Sequence, residues 1–466
     1  MTNLDHLKRL LPAAAFREDT ARYLEEPRGR WQGQARAVVA PGSVDEVSNL
    51  LKTCNELGIP VVPYSGGTGL VGGQIVEDGP APVLLSLERM KAVREFDAEA
   101  GTLTVEAGAI LQEVHAIAQA EGWIFPLTLA SQGSARIGGL LATNAGGVNV
   151  IRYGNARDLV LGVEAVLADG TIVNTLSPLR KNNMGYDLRH LLIGSEGTLG
   201  VITAASLRLF PKPRETGAAL MTVPSPVAAL RLLRLAHDMI GEGISAFELI
   251  GRTGFDFLSE VGPEVRQPFE EVPEWCCLID LGLASGSCAD ALESLFIQAF
   301  EEGLVMDGVV AQSEQQRAEF WAIRELIPEA NRRIGSVSSH DISVPVARIP
   351  DFIAQAPGRL SNINAFRINC FGHLGDGNLH YNVFPQKGKS RSDHEHERDA
   401  VKSCVHDLAH ELGGSVSAEH GIGRLKVGDL ERYGDPGKLA AMRAIKAALD
   451  PKNILNPGAV LRAEGL

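Results

Sequence analysis

Glycine in this chain is gathered into knots, and the first of them rules out one common architecture. Gly66, Gly67, Gly69, Gly72 and Gly73 fall within VPYSGGTGLVGG, Val62–Gly73. Inside it GTGLVG satisfies the GxGxxG pattern of a dinucleotide-binding loop, and Glu88 falls about where the ribose-binding acid of that fold lies. A loop of that kind has to open a helix. Here Gly72, Gly73, Gly79, Pro80 and Pro82 follow, and they would break one. The spacing therefore predicts a path from strand 59–64 through a loop to strand 83–87, with backbone N–H groups on offer and no nicotinamide-type fold.

Two more knots follow: Gly133, Gly138, Gly139, Gly146 and Gly147, then Gly194, Gly197 and Gly200. The total of 50 glycines is roughly 11% of the chain against an average near 7%. Glycine gathers where backbone takes positive φ or approaches a ligand closely, so three knots in the first 200 residues point to one large ligand touched repeatedly. Tight turns in an α/β protein are the plainer alternative.

Elsewhere the pattern is that of an ordinary globular chain. Ser43-Val44-Asp45-Glu46 is a capping box leading into a helix that Gly58 stops; strand 103–106, helix 110–121, strand 162–167 and strand 205–210 follow. Pro211 and Pro213 mark a domain boundary. Beyond it come strand 218–223, helix 226–240, strand 277–281 and helix 288–302, the alternation of a smaller α+β domain. A helix over 398–412 carries His406 and His410, and with His394 and His396 just before it reads as a solvated, charged face. The stretch 449–461 reads as an irregular tail, and Cys276-Cys277 as core.

With 466 residues there is room for two or three domains, and 44 basic against 57 acidic residues leave a net charge of -13, a poor match for nucleic acid or an anionic membrane. Six cysteines without CxxC spacing suit a reducing compartment. No run approaches the ~18 apolar residues of a membrane span, and the start carries Asp5 and lacks a long apolar core, so a cytoplasmic location is expected.

The chemistry concentrates in GHLGDGNLH. RINCFGH (Arg367–His373) and NLHYNVF (Asn378–Phe384) alternate in polarity about the turn-former LGDGN, which predicts a hairpin. If His373 faces His380, the pleat puts Asn369, Phe371, His373, His380 and Asn382 on one face, too polar for a packed core. Two imidazoles beside amides suit a divalent metal or acid/base site that needs a third partner.

These segments, together with SARIGGLLATNAGG (Ser134–Gly147), LLIGSEGTLGVIT (Leu191–Thr203), SAEHGIGRLK (Ser417–Lys426) and DPKNILNPG (Asp450–Gly458), resemble in order the FAD-linked D-2-hydroxyacid dehydrogenases of the vanillyl-alcohol-oxidase superfamily. That family holds D-lactate and D-2-hydroxyglutarate dehydrogenases and the FAD subunit of glycolate oxidase. The resemblance implies an α+β chain. A two-lobed PCMH-type FAD-binding domain would span 1–213, an α+β, ferredoxin-like substrate cap domain with the metal site 214–424, and a C-terminal segment returning to the FAD domain 425–466.

Carried over motif by motif, it implies that Ser65, Gly66, Gly67, Thr68 and Gly69 cradle the FAD pyrophosphate, that Ser131, Ser134, Gly138, Gly139 and Asn144 line the dinucleotide, and that Glu196, Gly197 and Ile202 hold its adenosine side, with Asn456 returning to the flavin. Relatives with covalent flavin carry a histidine where this chain has Thr68, so non-covalent FAD is expected. His373, His380 and Glu419 would hold a divalent metal, zinc first, with manganese or iron admitted by the N/O donor set. His420 would be the general base, Arg324 would anchor the substrate carboxylate, and Asn382 would contact the substrate. Hydride from Cα of a 2-hydroxy acid would pass to flavin N5. The electrons would go on to an electron-transfer flavoprotein, a quinone or a cytochrome, and a homodimer is admitted.

This chain departs at two positions. Relatives specialised for 2-hydroxyglutarate carry a threonine four residues and a lysine some fifteen residues past the arginine, where this chain has Pro328 and Ser339. Unless Arg332, Arg333 or His340 substitutes, a second carboxylate lacks its cation, which favours a D-lactate-like substrate. A pyridine-nucleotide enzyme would rest on GTGLVG alone, and a flavin-carrying subunit without chemistry of its own would not need these histidines.

Overall fold

The computed structural model describes residues 3–27, 29 and 31–463. They divide into two compact units. One comprises the chain up to Gly147, Gly154–Lys212 and everything from Glu419; the other comprises Val148–Tyr153 and Pro213–Ala418.

The first unit has two lobes. In one, the strands Ala37–Val39, Val83–Ser86 and Val61–Tyr64 form a parallel sheet in that order. The helix Val44–Leu57 packs Val47, Leu50, Leu51 and Cys54 into the core beside it. Its start is held by Ser43, whose hydroxyl accepts the Glu46 N–H, and its end by Gly58 at φ 62°. The other lobe is an antiparallel sheet ordered Val93–Asp97, Thr102–Glu106, Val201–Arg208, Val160–Val166, Ile172–Asn174. Between Tyr64 and Val83 the chain forms no helix, in keeping with the run of glycine and proline there, and the Glu88 carboxylate is taken by Arg17, Arg22 and Tyr23.

The second unit is built on an antiparallel sheet ordered Asp307–Val310, Glu215–Val223, Trp275–Leu283, Ile244–Gly251, Arg367–His373, Asn378–Phe384, Ser338–Ser343. With helices Pro226–Ile240 and Cys288–Glu301, its first four strands in sequence take the ferredoxin-like order 4-1-3-2, and the hairpin with Ser338–Ser343 widens it. The pleat divides the two faces. Ala219, Met221, Cys277 and Ile279 pack under helices 226–240, 288–301, 349–361 and 398–411; Ala218, Leu220, Cys276 and Leu278 pack under helices 252–261 and 314–334.

Two boundaries differ from the sequence reading. The six residues from Glu419 to Arg424 go with the first unit and not with the cap, because Arg424 and Leu425 donate their N–H groups to the Val71 carbonyl and the Arg424 side chain reaches the Gly72 and Gly73 carbonyls. Val148–Tyr153 goes with the second unit, where Arg152 donates to Ser245 Oγ and the Gly282 carbonyl. Nor is the 394–410 stretch a solvated face throughout. His394 and His406 are buried, one against Glu397 at 2.7 Å and the other edge-on to His340; of the four histidines, His396 and His410 are the exposed ones. No helix of the described residues is long and apolar enough to cross a membrane.

Candidate active site

The hairpin forms over the expected residues, but its register differs from the one that sets the two histidines opposite each other. His373 pairs with Asn378, Phe371 with His380 and Asn369 with Asn382, so a four-residue loop, Leu374–Gly377, closes it. His373 and His380 are therefore diagonal neighbours on one face, with ring centroids 5.6 Å apart, and Asn378 joins that face. The flanking strand pairs Asp341 with His380 and Ser339 with Asn382, which brings an Asp341 oxygen to 3.9 Å from His380 Nδ1.

The face is polar, and three of its strand residues, Asp280, Glu248 and Asn369, have partners on the helix Glu314–Ile334. Arg317 and Trp321 donate to Asp280, Arg324 donates to Glu248, and the Asn369 amide donates to Asn331. Residues 317, 321, 324 and 331 form one stripe along that helix. Arg324 is thus no surface ion pair. It is 6% exposed, its Nε lies 2.7 Å from Glu248 Oε2, and its guanidinium stacks 4.6 Å from the Phe371 ring centroid. Neither of its terminal nitrogens is hydrogen-bonded within the described chain.

Glu248, which the sequence reading does not single out, organises this corner. Its other oxygen lies 2.5 Å from His373 Nδ1. Complete burial pushes its carboxyl up, but the charges and hydrogen bonds of His373 and Arg324 outweigh that and hold it down at about 2. A signal existed: Glu248 is the lone ionisable residue in ISAFELIG, a strand buried at every position. A charge there requires partners.

The Ala418 N–H donates to the Asp341 carbonyl, and Glu419 follows directly. Among the described residues, His373, His380 and Glu419 each bring one potential ligand atom within 4.8 Å of the others. Two imidazoles and a carboxylate, with no thiolate, fit a divalent ion and leave it positions open. His420 is half-buried, and the backbone just beyond it is clamped: the Ile422 and Gly423 N–H groups donate to the two Glu196 oxygens at 2.7 and 2.8 Å. Burial pushes the Glu196 carboxyl up from its usual range while these two amides oppose the shift.

The glycine knots meet as a cradle. The Gly139 N–H donates to Ser65 Oγ at 3.0 Å, and a Cβ on Gly66 would lie 2.4 Å from the Ser134 carbonyl oxygen. The backbone N–H groups of Gly66, Gly67, Thr68 and Gly69 form no hydrogen bond within the described chain. Four successive donors without partners suit a pyrophosphate. Ser131 accepts the Ser134 and Ala135 N–H groups, Gly138 donates to the Ala107 carbonyl, and Asn144, at φ 51°, accepts the Arg157 N–H. Gly197 packs against Pro63, and Ile202 is buried in its strand. Asn456 donates from its side chain to the Glu196 carbonyl and accepts from Arg424, so the tail is tied to the clamp.

The chain matches two family models: FAD binding domain over residues 35–176, and FAD linked oxidases, C-terminal domain, over 212–460. The chain belongs to the FAD-linked oxidase family. The mitochondrial D-2-hydroxyglutarate dehydrogenase of Bos taurus is 38% identical, over 98% of this chain and 82% of that protein. The D-2-hydroxyglutarate dehydrogenase of Xanthomonas citri is 36% identical, over 97% and 95%. A putative mitochondrial D-lactate dehydrogenase of Schizosaccharomyces pombe is 33% identical, over 92% and 82%. In fold the chain is similar to p-cresol methylhydroxylase, with a TM-score of 0.72 at 17% identity, covering 100% of this chain and 97% of that one.

As an FAD-linked oxidoreductase the chain has two positions to account for. Pro328 is exposed one turn beyond Arg324 and has no donor; Ser339 lies on the His380 side of its strand, its hydroxyl 2.7 Å from that of Ser336. Arg332 and Arg333 both pair with Glu329, and His340 points to the opposite face, against His406.

Proposed function

We propose that this FAD-linked oxidase oxidises a D-2-hydroxy acid to the 2-oxo acid with the help of a divalent metal. The observation that carries the reading is the His373, His380 and Glu419 set, beside an arginine whose terminal nitrogens await a partner. When bound, the metal would supply a Lewis acid that lowers the pKa of the substrate hydroxyl, and FAD a two-electron acceptor for the Cα hydrogen as hydride. Arg324, held at Nε, presents its terminal edge as a bidentate donor to the substrate carboxylate. His420 takes the hydroxyl proton, and the Glu196 clamp limits the freedom of its segment. Asn382, on the hairpin face, contacts the substrate. The knots and Asn456 hold FAD non-covalently, Thr68 standing where a flavin-linking histidine would be, and the electrons leave to an electron-transfer flavoprotein, a quinone or a cytochrome.

The relatives' names favour D-2-hydroxyglutarate and lend no support to the expected preference for D-lactate. One observation keeps a second reading: Pro328 and Ser339 supply no cation for a distal carboxylate, which suits a 2-hydroxy acid with an uncharged side chain. A cytoplasmic location stays a proposal beside relatives named mitochondrial, as does a homodimer. The test is a screen of D-2-hydroxy acids with an artificial acceptor, before and after chelation. Turnover that is lost with the metal and restored on adding it back supports the reading. Full turnover in metal-free protein overturns the metal role, and no turnover with any D-2-hydroxy acid overturns the function.

A further inference from the structure

Glu248 touches both halves of the proposed substrate anchor. It is fully buried in a strand buried at every position, and desolvating an isolated carboxylate costs several kcal/mol, so it persists there only with strong partners. It has two, one on each oxygen: His373 Nδ1 at 2.5 Å and Arg324 Nε at 2.7 Å. The first follows from register, since the Glu248 strand pairs Glu248 with His373; the second comes from the helix crossing that face.

We infer that Glu248 is a positioning residue that sets the metal ligand His373 and the substrate anchor Arg324 as one unit, an inference that rests on the reading proposed above. Toward His373, an ionised carboxylate accepts only an N–H, so it fixes the proton on Nδ1 and leaves the Nε2 lone pair for the metal. Toward Arg324, it occupies Nε and turns the edge with the two terminal nitrogens outward. Glutamine cannot do both. With its carbonyl toward Arg324 Nε, its amide N–H points at His373 Nδ1, which then becomes the acceptor and moves the ring proton to Nε2, the tautomer that cannot bind metal.

The experiment uses full-length, FAD-loaded protein stripped of metal, with Zn²⁺ as the probe in competition with a chromophoric chelator and no substrate present. Glu248→Gln is expected to weaken Zn²⁺ binding 10- to 100-fold, the usual range for losing such a partner. At saturating metal it should also raise KM for the turned-over D-2-hydroxy acid at least about tenfold, with flavin absorbance and circular dichroism unchanged. Should Glu248→Gln not fold, Glu248→Asp takes its place. It keeps the charge but is a methylene short of spanning both partners, so at least one of the two readouts must move. Zn²⁺ affinity and KM both at the wild-type level in a folded variant overturn the inference. His373→Ala separates the two failures. If it too binds Zn²⁺ as wild type does, the metal site itself falls; if it loses Zn²⁺ while the Glu248 variants do not, only the positioning role falls.

Discussion

Replacing Glu196 by glutamine tests whether one half-buried side chain holds the segment that carries His420. The carboxylate accepts two backbone N–H groups, from Ile422 at 2.7 Å and Gly423 at 2.8 Å, from a residue kept at φ 52°, where a side chain is strained. Glutamine offers one carbonyl oxygen and one NH₂. One amide keeps a bond that is no longer charge-assisted, a loss of about 1 kcal/mol, and the other faces a donor and loses its bond outright, about 2 kcal/mol. The sum of about 3 kcal/mol corresponds, at ~2 °C per kcal/mol for a unit of this size, to a fall of roughly 6 °C in the midpoint of thermal flavin release. Flavin fluorescence during a temperature ramp reads that midpoint, and kcat at saturating substrate should fall with it if His420 is the proposed base, because a base displaced by about 1 Å loses on the order of a hundredfold. A midpoint within 1 °C of wild type together with an unchanged kcat would refute the reasoning: the Ile422-Gly423 segment would then be held by something other than Glu196.

Lys446 is buried between Asp450, the Thr198 carbonyl and the Leu455 carbonyl, while Asp450 also accepts the Ile454 and Leu455 N–H groups. Lys446→Met strands that carboxylate and should cost roughly 3–5 kcal/mol, read as a lower denaturant midpoint for the flavin-releasing transition. Burial pushes the thiols of Cys54 and Cys370 up to about 12 and that of Cys288 to about 11. At pH 8 their thiolate fraction is about 10⁻³ or less, and it grows only as pH rises toward those values. A thiol reagent should therefore find the half-buried Cys404 in the native protein and all six cysteines in denaturant; several fast native thiols would contradict this burial. Ser339→Lys places a cation on the His380 side of the sheet and should raise kcat/KM for D-2-hydroxyglutarate relative to D-lactate about tenfold, the equivalent of 1.4 kcal/mol. An unchanged ratio would show that position 339 does not meet the distal group.

Local signals read well where one physical rule acts alone. The helix Val44–Leu57 begins at its cap and ends at its glycine, helix Pro226–Ile240 spans the expected residues, and both hairpin strands have the predicted limits. The rule that misled was polarity. His394 and His406 alternate with charged residues and look solvated in sequence, yet they are buried, because Glu397 and His340 stand ready as neighbours and periodicity cannot see a partner on another element. Glu248 was legible as an anomaly, a single acid in an apolar strand, though its two partners lie 76 and 125 residues away.

By itself the sequence determined that GTGLVG could not open a helix, that a hairpin would put two histidines on one face, and that the motifs follow the order of an FAD-linked family. Those are consequences of glycine and proline stereochemistry, of the two-residue pleat and of residue identity. The tertiary structure alone decided that the histidines are diagonal neighbours, that Glu248 links one of them to Arg324, and that Glu196 clamps the backbone beyond His420. Each of these depends on strand register or on contacts across long loops, and those are settled by which buried groups find partners, a property no local stretch of chain contains.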